Sequence, residues 1–225
     1  AQRLNMLYRC LVLLLLLHPT LTLADLDQAQ ADDPYSVVKY QTPDGAILVD
    51  TDTDWKRYTK VQLKRGTVEF RENWVIDQEA LNKTTITVAD LEKVKTDMSD
   101  LLEKVLISEL SDREAYTLTG GSGTDTLRFT PNIVDLDIYT PDFLRDFVGH
   151  QLTNAQGSMV LVLEINDSVS GKLLATAVQK QHDDDRSYWD STTRGSNQTA
   201  FRRMTESWTD WLFALLEKIR AGELS

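Results

Sequence analysis

Cysteine is all but missing from this chain. The single one, Cys10, lies in an apolar leader, so the rest of the sequence carries no thiol. Disulfide staples and thiolate metal sites are therefore excluded beyond the leader. Histidine is scarce as well: His18 falls in the leader, and His150 and His182 stand far apart. Reactive motifs are also lacking. Gly120-Gly121-Ser122-Gly123 is glycine-rich, but it has no phosphate-loop lysine and precedes a strand pattern rather than a helix. No serine sits in a G-x-S-x-G elbow, so a nucleophilic triad has no anchor. Positive charge is in deficit, with 24 Lys and Arg against 35 Asp and Glu and a net charge of −11. Such a balance argues against nucleic acid and anionic membrane surfaces as partners.

What is present begins with Met6 to Ala24. Arg9 precedes an apolar run from Cys10 to Leu17, Pro19 breaks it, and Thr22-Leu23-Ala24 offers small residues for cleavage. That is the build of a secretory signal peptide over residues 1–24, with Met6 as the expected start. The run is shorter than the roughly 20 apolar residues a spanning helix needs. Cys10 lies before the run rather than at the cleavage point, so a lipid anchor is not expected. The expected product is periplasmic or secreted, with no stable membrane anchor after cleavage. Losing Arg3 and Arg9 takes the charge from −11 to −13, which makes it a strongly acidic protein.

Residues 25–53 read as a polar, flexible lead-in, with a turn at Thr42-Pro43-Asp44-Gly45 and a short strand candidate at Ala46 to Val49. A single domain is expected over residues 54–222. In it, alternation on both sides of Gly66 predicts a strand with a glycine bulge or a tight hairpin. Thr87 and Asp90 form a capping box ahead of Leu91, Val94, Met98, Leu101, Leu102, Val105 and Leu106, a stripe at helical spacing that runs to about Leu110. Ala115 to Leu118 and Thr126 to Thr130 read as a hairpin around the glycine-rich loop. Val134, Leu136 and Ile138 are expected to face one way, with Asp135 and Asp137 facing the other. Pro141 to His150 reads as a short helix.

The firmest pattern is Gly157 to Gln181. Met159, Leu161, Leu163 and Ile165 share one face of a strand, Asn166 to Gly171 make a turn, and Leu173 to Val178 return. A last helix, from about Gln198 to Ala221, carries Phe201, Met204, Trp208, Trp211, Leu212, Leu215, Leu216 and Ile219 and stops at Gly222. Together these predict an α+β fold, with a mostly antiparallel sheet and two long amphipathic helices on one face.

Candidate functional residues are few. Asp135 and Asp137 could form a carboxylate pair for hydrolysis, although a strand with one wet face produces the same pattern. His182-Asp183-Asp184-Asp185 could be drawn as a metal site, but adjacent loop carboxylates do not converge unaided, so a solvated loop is favoured and no metal is expected. Trp208 and Trp211 fit the helix stripe and read as core. Trp189 lies in a polar loop, where an exposed aromatic serves as a partner anchor. Trp189 and Tyr188, with Asp183 and Arg186, are accordingly the expected binding residues. Asn82, Asn166 and Asn197 each begin a glycosylation sequon, which matters only in a eukaryotic source.

The order of these motifs resembles an exported bacterial family known as domain of unknown function 3313. The features that carry the resemblance are Tyr58 to Phe70 followed by Trp74, the Leu91 to Leu110 helix, Asn132-Ile133-Val134-Asp135, the Leu163 to Ala175 hairpin and the tryptophan-bearing last helix. The resemblance implies a non-enzymatic envelope protein, and it transfers no catalytic residue and no cofactor. The expected function is an accessory or binding role with an envelope protein partner. The alternative is a hydrolase of envelope polymers acting through Asp135 and Asp137.

Overall fold

The hairpin anticipated at 157–181 is the centre of an eight-stranded mixed sheet. The computed structural model describes residues 37–43, 45–82, 85–113, 115–137, 157–182 and 194–223. In chain order the strands are β1 (Val37–Thr42), β2 (Gly45–Asp50), β3 (Lys60–Leu63), β4 (Val68–Phe70), β5 (Thr117–Leu118), β6 (Thr126–Asp137), β7 (Ser158–Asp167) and β8 (Leu173–His182). The helices are α1 (Trp74–Asn82), α2 (Val88–Ser111) and α3 (Arg194–Ala221), with a 3-10 turn at Trp55–Arg57. The sheet order is β1-β2-β8-β7-β6-β3-β5, and β4 continues beside β6.

The α+β fold expected from the sequence is observed, and two finer expectations, the hairpin around the glycine-rich loop and the lead-in over 25–53, are corrected. The sheet is antiparallel along β1-β2-β8-β7-β6, as expected, and β3, β4 and β5 join it in parallel, which makes it mixed. The segments flanking the glycine-rich loop are not a hairpin, because β3 lies between β5 and β6 and pairs with both. A third helix, α1, follows Phe70, whose ring stacks on Trp74 at 4.1 Å between centroids. Its nine residues are too few for a clear apolar stripe. The sheet also reaches into the stretch 25–53, since β2 pairs with β8 along Gly45 to Val49.

The β3–β4 interruption has a definite cause. Phe129 and Ile133 of β6 bond toward this edge, through Lys64 N–H to Phe129 O at 2.8 Å and Ile133 N–H to Thr67 O at 2.9 Å. Pro131 lies midway and has no N–H to offer. The neighbouring strand therefore breaks at Arg65 and Gly66. A Cβ on Gly66 would fall 1.6 Å from the Pro131 carbonyl oxygen, so only glycine fits. Of the two sequence readings for this stretch, the broken strand is the one observed.

Met159, Leu161, Leu163 and Ile165 are all 1% exposed or less and share a core with Leu127, Phe129, Ile133, Ile47 and Ala177. The helices cover that face, α2 against β4 and β5, α3 against β8, and each against the other. Met98, Leu102, Leu106 and Leu110 come from α2, and Phe201, Met204, Trp208, Leu212, Phe213, Leu216 and Ile219 from α3. The Thr87–Asp90 capping box is formed in both directions. Gly222, at φ 78°, ends α3: its N–H donates to the Ile219 carbonyl and the Glu223 N–H donates to the Lys218 carbonyl, the paired pattern of a Schellman cap. On the opposite sheet face, Val160, Val162 and Val178 are also buried, which the alternating strand pattern does not require.

Candidate functional site

The two ends of the central strands are built differently. At one end β7 turns into β8 through Asp167, whose Oδ1 accepts from Val169 N–H at 3.1 Å, Ser170 N–H at 2.7 Å and the Ser170 hydroxyl at 2.8 Å. Its Oδ2 accepts from the Tyr58 hydroxyl at 2.8 Å and from Arg57 at 2.9 Å. Burial alone would raise this carboxyl. The bonds from Ser170, Tyr58 and Val169 outweigh it and hold the pKa at about 2. Next to it, Ser168 Oγ exchanges bonds of 3.0 Å with the Gly123 N–H and carbonyl, and Asp50 pairs with Lys172. Every group here is consumed by tying together three loops, so this end is a clamp.

The other end carries the residues singled out from sequence. Val134 pairs with Val160 and Asp137 with Ser158, so β6 has one residue more than β7 over this stretch. It also has one more than β4, where Ile133 and Leu136 face Val68 and Phe70. This β-bulge is taken up at Asp135, which adopts φ 55°, a left-handed conformation that aspartate tolerates better than most residues. The expected alternation is therefore overturned. Ile133 and Leu136 both enter the core, and Val134 points away from it instead of sharing a face with Leu136.

The bulge also separates the fates of the two carboxylates. Asp137 is held by Arg71, with Nε to Oδ2 at 2.9 Å and Nη2 to Oδ1 at 3.4 Å, while Arg71 Nη1 reaches Asp77 at 2.8 Å. The Asp135 carboxyl is partly buried and has no hydrogen-bond partner among the described residues. Burial pushes it above the usual carboxylate range; Lys180 opposes the shift, Asp137 adds to it and Arg71 opposes it. On the same face, burial also raises the Glu164 carboxyl. Two aspartates two residues apart thus become one ion-paired anion and one partly buried carboxyl whose proton affinity is raised by burial.

Arg71 and Lys180 belong to this site and were not singled out from the sequence. Their relation to β6 depends on pairings across the sheet, which no local spacing encodes. Tyr188, Trp189, Asp183 and Arg186 lie outside the described residues. The chain enters that stretch from His182, which pairs with Ser158, itself the partner of Asp137. Residues 138–156, with the anticipated Pro141 to His150 helix, also lie outside the described residues. Among the described residues no group of three or more histidine, cysteine or acidic side chains could hold a metal ion. No helix among them is long and apolar enough to cross a membrane.

The PelC dodecamer of Paraburkholderia phytofirmans is similar at 9% identity over 66% of this chain and 84% of that one, with a TM-score of 0.32. A Helicobacter pylori protein described as a neuraminyllactose-binding hemagglutinin homologue is similar at 13% identity over 75% and 88%, with a TM-score of 0.38. A hypothetical protein from Chlamydia trachomatis is similar at 10% identity over 72% and 99%, with a TM-score of 0.36. No curated protein matches. The family profile described as a protein of unknown function, DUF3313, matches residues 28–211, and the chain belongs to that family.

Proposed function

We propose that the protein is a non-enzymatic binding or accessory domain of the bacterial envelope, exported by its leader, which engages a protein partner through the sheet end bearing Asp135. One observation supports this reading above the others: the Asp137, Ser158 and His182 register brings the ends of three strands together, away from the Asp167 clamp. Loops grouped at one end of a rigid sheet are well placed for recognition, because the scaffold fixes their bases. The segment holding Tyr188 and Trp189 begins just beyond His182. An aromatic anchor there would supply the contact area that dominates protein interfaces.

The test is affinity capture from solubilised envelope with the wild type and with Trp189→Ala, after matching their circular dichroism spectra. The expected result is a partner held by the wild type and weakened at least about tenfold in the variant, about 1.4 kcal/mol of binding energy. Equal capture by both proteins would overturn the assignment of Trp189.

A second reading, hydrolysis of an envelope polymer, draws on the split environments of Asp135 and Asp137. A carboxyl raised by burial next to an ion-paired carboxylate is the kind of asymmetry that acid catalysis uses. Under this reading Asp135→Asn loses at least about a hundredfold in turnover of a peptidoglycan or exopolysaccharide substrate. Unchanged turnover in that variant would remove Asp135 as the acid.

A further inference from the structure

We draw no further inference here: the strongest candidate, the sheet face turned away from the helices, where Val160, Val162 and Val178 are buried beside the partly buried Asp135 and Glu164 carboxylates, carries nothing because no described element shows what covers it.

Discussion

At the scale of single residues, the Asp135 and Asp167 carboxyls are shifted in opposite directions. Asp167 has a folded-state pKa of about 2, below the ordinary 3.8, so its ionised form is favoured by folding. Its contribution is fully present above about pH 4 and fades as pH falls toward 2, and the shift corresponds to about 2 kcal/mol. Asp167→Asn is therefore expected to lower stability by about that amount at pH 7 and to flatten the acid limb. Urea unfolding at intervals from pH 2 to pH 7 checks it, and a variant that keeps the wild-type slope would assign the acid sensitivity elsewhere. The role of Asp167 was half visible in the sequence. Asn166-Asp167-Ser168 announces a turn, but nothing near it points to Arg57 and Tyr58, which reach it from the turn ahead of β3, more than a hundred residues away in the chain. Asp135 shows the same limit. Alternation drew notice to it as a polar residue on an apolar strand, but the bulge that breaks that alternation and separates it from Asp137 can be seen only against the partner strands β4 and β7.

At the scale of elements, the parts that could be read were those whose signal is local. The capping box of α2, the stripe of α3 with its glycine stop, and the β7–β8 hairpin are all encoded within a few residues of where they act. Parallel pairing is not, and that is why the β5 and β6 segments looked like neighbours when β3 in fact divides them. The break between β3 and β4 is a case where sequence and structure explain each other. Pro131 withholds a donor from the edge, and Gly66 lets the adjacent backbone lie against its carbonyl. Gly66→Ala is expected to cost on the order of 3 kcal/mol, because the added methyl can be accommodated only by moving backbone. Gly120→Ala, where an added Cβ meets nothing within 4 Å, serves as the comparison and should change stability little. Thermal melts of both variants test the pair, and equal melting temperatures would mean that the Gly66 contact relaxes freely.

At the scale of the whole molecule, the packed core takes in residues earlier in the chain than composition implies. Polar and acidic content placed the start of the domain at Asp54, yet Ile47 and Val49 are 0% and 3% exposed inside the shared core. Asp50 pairs with Lys172, and its carbonyl accepts from the Trp55 indole N–H at 3.1 Å. A chain beginning at Asp54 would lose these contacts and uncover the edge of β8. It should lose at least about 3 kcal/mol and form aggregates, since burying each of two aliphatic side chains is worth about 1.5–3 kcal/mol. A chain beginning at Asp25 should elute as a discrete species and unfold cooperatively. Size-exclusion chromatography with thermal denaturation separates these outcomes, and a well-behaved Asp54 chain would show the first two strands to be dispensable.

The pairing of β2 with β8 also sets a timetable for synthesis. Ala46 finds Val178 only after more than half of the chain has been made, so the first strands to leave the ribosome must wait for one of the last. The β6, β7 and β8 strands are consecutive in the chain and close smaller loops, whereas closing the β2 contact carries a larger entropic cost. The outer strands β1 and β2 would then be laid down late on a finished centre, and until that moment they are the portion most in need of a chaperone.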